Sequence, residues 1–218
     1  MSAEKVILNL GCGRNYIPGA VNVDLRSDVR ADVIHDLNQI PWPFADNCFE
    51  LVLAFHLIEH MDDVVAVMRE IHRVARRGAI VRIRVPHFSS PDAFTDPTHL
   101  HQFGYFSFHF FSGEHANAFD NCPKFQRLQT KIAFAPSRVR PLDKLLARWA
   151  NHAPARYERR LAWMFPAHEL YNEAPRREEG LIGGKVLLET SIIPTAPLYL
   201  CEHETGMVGA GLSGILEK

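Results

Sequence analysis

The stretch Val6-Ile7-Leu8-Asn9-Leu10-Gly11-Cys12-Gly13-Arg14-Asn15 decides how the chain is read. A short apolar run stops at two glycines separated by one residue. That pattern predicts a buried strand feeding a tight turn whose backbone comes very close to a ligand. Open α/β sheets place ligands at the carboxyl ends of their strands, where such turns lie. Working outward, Ala20-Val21-Asn22-Val23-Asp24-Leu25 predicts a second strand ending in a carboxylate. An acid at a strand tip can accept from both hydroxyls of a ribose diol.

With 218 residues, 47% of them hydrophobic, the chain can bury one sizeable core, so residues 1–218 are expected to form a single domain. Within it, residues 5–86 would bind a cofactor, 87–205 would supply the substrate half and lid, and 206–218 would be a mobile tail. A net charge of -1 supplies no general field for nucleic acid or an anionic membrane. Cys12, Cys48, Cys122 and Cys201 form no Cys-x-x-Cys pair, which argues against a disulfide framework or a cysteine zinc site. No segment has the length of a signal peptide core or a membrane span. The expectation is a cytoplasmic protein.

Asn15 to Gly19 leaves room for only a turn or a short helix before the second strand. Ala31–Asp36 predicts a third strand ending in a further acid. Phe49–Phe55 is nearly all apolar, as in a central parallel strand buried on both faces. Val64, Val67, Met68, Ile71 and Val74 then recur at helical spacing, with Gly78 as the expected stop. Ala79–Val85 alternates as the next strand and ends at Pro86. Strands alternating with helices predict an α/β, doubly wound, mainly parallel sheet. Phe125–Phe134 is a later strand candidate, Pro141–Trp149 and Arg156–Phe165 are helix candidates, and Val186–Ile193 is the candidate last strand.

The residues themselves narrow the cofactor. A dinucleotide turn wants a third glycine three residues after the second, but Tyr16 stands there. Its acid should also come about 20 residues later, and Asp24 comes much sooner. Acids at two strand tips, Asp24 and Asp36, would repel a pyrophosphate. A cofactor with an adenosine but no phosphate fits better than NAD.

Taken together, Leu8–Gly13, Asn22–Asp24, His35-Asp36-Leu37 with Pro41–Phe44, Phe49–Val52 and Leu57-Ile58-Glu59-His60 resemble the class I S-adenosylmethionine-dependent methyltransferases. Their order and spacing are similar to the small-domain branch called type 11. The resemblance covers residues 5 to 86. It implies a seven-stranded Rossmann-like sheet with helices on both faces and S-adenosylmethionine as cofactor. Position by position, it implies that Gly11, Cys12 and Gly13 pass under the methionine moiety and that Asp24, with Leu25 beside it, holds the ribose. Asp36 would contact the adenine amine with Leu37 at the ring, and the backbone of Phe55 and His56 would border the sulfonium. The family usually carries an acid just before the glycines, whereas this chain reads Asn9-Leu10.

Pro86–Ser90 and Ala93-Phe94-Thr95-Asp96-Pro97-Thr98-His99 resemble a bacterial subgroup with an Asp-Pro-Thr-His segment, whose acceptors are commonly inferred to be sugars. Methyl transfer from a sulfonium is an in-line displacement, and a hydroxyl acceptor must lose its proton. A histidine serves as base near neutral pH. His99 is the expected base, Asp96 its orienting carboxylate and His87 the second candidate. The bland readings are a turn or helix start at Asp96-Pro97-Thr98 and packing roles for His60, His101, His109 and His115. No His-x-x-x-His pair lies on an expected helix, and His99-x-His101 would splay, so no metal is expected. The aromatic run Phe103–Phe111 is core or dimer surface, with a water-excluding lid as the alternative. The expected acceptor is therefore a small or carbohydrate hydroxyl compound, with no nucleic-acid or membrane partner. The rival reading is a methyltransferase-like module that acts through a protein partner without turnover.

Overall fold

The computed structural model describes residues 6–112, 123–126, 129–134 and 140–175. Seven strands among them form one sheet: β1 (Ile7–Leu10), β2 (Ala20–Asp24), β3 (Val33–Ile34), β4 (Phe49–Phe55), β5 (Ala75–Pro86), β6 (Gln129–Ala133) and β7 (Glu169–Pro175). Their order across the sheet is β3-β2-β1-β4-β5-β7-β6. The first five strands pair in parallel, and β7 runs antiparallel to both β5 and β6. The sheet is therefore the mixed seven-stranded α/β sheet that the strand pattern and the resemblance imply.

The connection from β1 to β2 holds no helix, and a buried polar network explains how so short a link is stable. Asn22 is fully buried, and its amide donates to the carbonyls of Ile17 and Ala20 and to Asp32. Its Oδ1 accepts from Asn9 Nδ2 at 2.9 Å and from the Ile17 N–H at 2.9 Å. Asn9 Nδ2 also donates to the Asn15 carbonyl at 3.0 Å. A fully satisfied network of this kind fixes one arrangement of the backbone. Asn9 thereby ties the glycine turn to β2.

The helix after β4, α1 (Val64–Val74), forms where the apolar spacing predicts it. Asp63 caps it by accepting from the Ala66 N–H, and Val67, Met68, Ile71 and Val74 are buried against the sheet. Its end differs from expectation. The helix stops at Val74 because Ala75 already has extended geometry, and Gly78 lies inside β5 with φ 76°. Phe49 pairs with Ala75 but Leu51 with Ile80, so five residues of β5 match two of β4 across this irregularity. A left-handed residue absorbs such a mismatch, and glycine is the residue that does so without strain.

Two further helices, α3 (Arg140–His152) and α4 (Pro154–Arg160), lie between β6 and β7, after the single turn α2 (Asp92–Thr95). Tyr157 of α4 is fully buried and donates to the Phe165 carbonyl. The residues after Arg160 leave the helix, so the expected continuation to Phe165 is corrected to turns. The strand that completes the sheet is β7, within Pro166–Pro175. The expected strand Val186–Ile193 and the expected tail 206–218 lie outside the described residues. Phe103, Phe108 and Phe111 are buried, with the first two stacked, so these residues of the aromatic run are core. No helix of the described residues is long and apolar enough to cross a membrane.

Candidate active site at the strand ends

The glycine turn after β1 is left-handed at both glycines, with φ 59° at Gly11 and 49° at Gly13. A Cβ added at Gly11 would meet Leu57 Cδ1 at 2.9 Å, whereas one added at Gly13 would meet nothing within 4 Å. Gly11 is thus pressed against protein, and Gly13 faces open space. The Gly13 N–H donates to Asp24 Oδ2 at 2.7 Å, and the Arg26 N–H donates to Oδ1 at 3.0 Å. An ionised carboxylate offers about four acceptor positions. Two remain on Asp24, enough for a vicinal diol, so the turn and this acid fit an adenosine cofactor that lies over Gly13.

The neighbouring positions divide. Asp36 is half-buried and accepts from the Asn38 N–H at 3.0 Å, which holds its side chain at the tip of β3. Leu25 is 63% exposed beside Asp24. Leu37 is instead only 4% exposed and belongs to the core, and its carbonyl accepts from Trp42 Nε1. Cys12 is also buried, with Sγ 3.5 Å from the Arg30 carbonyl. Burial first, then the nearby Asp24 and Asp32 charges, raises its thiol pKa. Cys12 can border a cofactor only through its backbone.

At the end of β4, His56 has φ 52°, a conformation a non-glycine residue takes only when its surroundings impose it. Its N–H donates to the Arg84 carbonyl on β5. Its ring lies between two acids, with Nε2 3.1 Å from Glu169 Oε1 and Nδ1 3.4 Å from Glu59 Oε1. The Glu169 contact, followed by that of Glu59, pushes its pKa up to about 9, so the imidazole is a cation at neutral pH. Glu169 Oε2 also accepts from Arg84 Nη2 at 2.6 Å. His56 first, then the Arg84 and Tyr171 hydrogen bonds, holds Glu169 well below the usual carboxylate range despite burial. Sequence reasoning named the His56 backbone but missed both acids. Glu59 lay inside the quoted Leu57–His60 motif, Glu169 opens β7, 110 residues later, and the sheet brings them together.

The expected catalytic histidines separate sharply. His87 is fully buried. Its Nδ1 accepts from the Ser89 N–H at 3.1 Å, and Nε2 lies 3.2 Å from Glu158 Oε1. Both ring nitrogens are engaged, which leaves none for an acceptor. His99 is placed differently. Its loop is clasped to the 3-10 turn Ile58–His60 by Leu100 N–H donating to the Glu59 carbonyl at 2.8 Å. Its ring lies edge-on to His60, with centroids 4.7 Å apart. Asp96 does not orient it by hydrogen bonding: His99 Nε2 to Asp96 Oδ2 is 3.9 Å, and Asp96 Oδ1 accepts instead from the Thr98 hydroxyl and N–H. His101 points away, its Nε2 donating to the Met61 carbonyl at 2.9 Å.

Comparison with known proteins bears on the fold and on the first half of the chain. The profile of a family described as "Methyltransferase domain" matches residues 8–83. No curated protein matches the sequence. Among solved structures, a SAM-dependent methyltransferase from Archaeoglobus fulgidus is 17% identical, with 78% of this chain and 86% of that one covered and a TM-score of 0.51. The YcgJ protein from Bacillus subtilis is 15% identical, with 81% and 93% covered and a TM-score of 0.52. An S-adenosylmethionine-dependent methyltransferase from Mesorhizobium loti is 14% identical, with 80% and 92% covered and a TM-score of 0.50. These likenesses show the fold, and the profile match covers the glycine turn, Asp24, Asp36 and the Leu57–His60 motif. Residues 8–83 thus match a methyltransferase domain, and the chain shares the fold of solved S-adenosylmethionine-dependent methyltransferases.

Proposed function

We propose that the protein transfers the methyl group of S-adenosylmethionine to a hydroxyl oxygen of a small or sugar-like acceptor. The observation that carries this reading is the imidazole-rich edge beyond β4 and β5, where His56, His60 and His99 gather beside Glu59. When bound, the cofactor supplies an electrophilic methyl group. The chain must then align an oxygen with it and take up the oxygen's proton. His56, cationic and held between two acids, suits charge balance rather than proton uptake. His99 suits proton uptake, because its buried Nδ1 has no hydrogen-bond partner. Asp96, 3.9 Å from that ring, supports it only through its charge. His87 is set aside because both its nitrogens are occupied.

A cytoplasmic setting goes with this reading, supported by the free thiol of Cys12. Calorimetric titration with S-adenosylhomocysteine is the first test: wild type binds, and Asp24→Ala loses binding at least about tenfold, the loss of one buried charged hydrogen-bond partner. A screen of sugar and phenol acceptors with methyl-labelled cofactor follows. There His99→Ala loses about 100-fold or more in rate, as expected when a general base is removed, with S-adenosylhomocysteine affinity unchanged. Product methylated on nitrogen or carbon would overturn the oxygen assignment. Binding without turnover across the panel would favour the partner-module reading.

A further inference from the structure

Glu59 is 1% exposed, and neither carboxylate oxygen has a hydrogen-bond partner among the described residues. Its charged neighbour is the His56 ring, an electrostatic contact at 3.4 Å. A buried carboxyl group with so little hydrogen bonding is costly to keep away from water, so a further partner at its oxygens would be stabilising. His99 shows the same signature. Its side chain is 8% exposed, and its Nδ1 is buried without a partner. One donor atom each from Glu59, His60 and His99 lies within 4.8 Å of the other two.

His60 is prepared for the same task. Its Nδ1 faces the Thr98 carbonyl at 3.3 Å and the Thr98 hydroxyl at 2.9 Å. A carbonyl can only accept, and the hydroxyl already donates to Asp96 Oδ1 at 2.6 Å. Nδ1 must therefore carry the proton, which leaves a lone pair on Nε2. The chain His60–Thr98–Asp96 is the outer arrangement that orients metal-bound imidazoles elsewhere, with a carboxylate fixing the tautomer at one remove. It also explains why Asp96 serves Thr98 rather than His99.

We propose that Glu59, His60 and His99 form a binding site for one divalent transition cation of the zinc type. Two imidazoles and one carboxylate are a donor set that such ions take with at least one position left open. Side-chain rotation closes the donors to metal–ligand lengths of about 2.0–2.2 Å, while the Leu100–Glu59 backbone bond keeps the two segments together. The inference bears on the proposed function at the acceptor: an ion there would offer its open position to an acceptor oxygen and lower that oxygen's pKa so that water could take the proton, with His99 then a ligand rather than the base. It rests on that reading only for the acceptor, because binding of the ion can be measured without methyl transfer.

The test is direct titration of chelator-treated protein with Zn2+ in a calorimeter, paired with Co2+ absorption spectroscopy. Wild type is expected to take one equivalent and to give ligand-field bands of a site with nitrogen donors. His60→Ala and His99→Ala are expected to weaken Zn2+ binding by at least about 100-fold, and Thr98→Val, which disturbs only the outer partner, by about 10-fold or more. S-adenosylhomocysteine binding by the same variants reports that they are folded. Absence of saturable Zn2+ binding by folded wild type would overturn the proposal, as would equal affinity in wild type, His60→Ala and His99→Ala. If the alanine variants do not fold, unchanged affinity in Thr98→Val together with a Co2+ spectrum free of nitrogen donors would overturn it. S-adenosylhomocysteine binding is read independently, so loss of the cation site and loss of the methyltransferase reading remain separate outcomes.

Discussion

Gly11 and Gly13 are both left-handed, yet they answer to different neighbours. At either position a side chain costs about 1–2 kcal/mol for the backbone alone. Gly11→Ala also drives a Cβ into Leu57, a core residue. Gly13→Ala sends its Cβ into the open space above the turn. Gly11→Ala is therefore expected to lower the melting temperature more than Gly13→Ala does. Gly13→Ala should show the larger loss of S-adenosylhomocysteine affinity relative to its loss of stability. Thermal melts and calorimetry on the pair check this, and equal losses in both measurements would contradict the division of labour. His56 belongs at the same scale. Its left-handed backbone is retained by a histidine because the ring is gripped by Glu169 and Glu59.

At the scale of elements, α1 is held mainly by its buried face. Ile71 is fully buried, so Ile71→Ala should destabilise the protein by about 2–5 kcal/mol. Urea unfolding reads this, and a change below about 1 kcal/mol would mean that the helix is not packed on the sheet as described. Elements were also what the sequence showed best. Short apolar runs ending in glycine or an acid located β1 and β2, a continuous apolar run located β4, and period-3.6 spacing located α1, because each packs into one core. Chemistry that depends on meetings between distant segments was not legible. Glu59 is 40 residues from His99 and 110 from Glu169, and spacing along the chain carries no trace of those contacts. Gly78 was misread for a related reason: a glycine after a helical run suits a helix stop and a bulged strand equally well. The grouping of Glu59, His60 and His99 is a further case: two of the three residues come from the turn after β4 and one from a loop 40 residues later, so spacing within the histidine-rich segment does not show it.

For the whole molecule, acid stability should depend on a link between α1 and the loop before β4. Glu70 Oε2 accepts from the Trp42 N–H at 2.8 Å and from Arg73 Nη2 at 2.7 Å. Arg73 also donates to the Phe44 carbonyl and to Asp46. Burial by itself would raise the Glu70 pKa, but the Arg73 and Trp42 hydrogen bonds outweigh it and the net shift is downward. A carboxyl group whose pKa is lowered by folding stabilises the folded state above its unfolded value, about 4.3 for Glu. It loses that contribution as pH falls through the folded value. Unfolding free energy should therefore decline from about pH 5 downward. Glu70→Gln, less stable at pH 7, should show a shallower decline. Parallel pH profiles for the two proteins would remove Glu70 from the account.

The reversed direction of β7 carries one more implication, for comparing related sequences. Six strands end at this edge of the sheet, but β7 begins there, at Glu169, which faces Pro86 at the end of β5 and Ala133 at the end of β6. Among relatives, substitutions that retune the acceptor should therefore cluster just after the early strands and just before the final one. The far end of β7, at Pro175, should drift with packing alone.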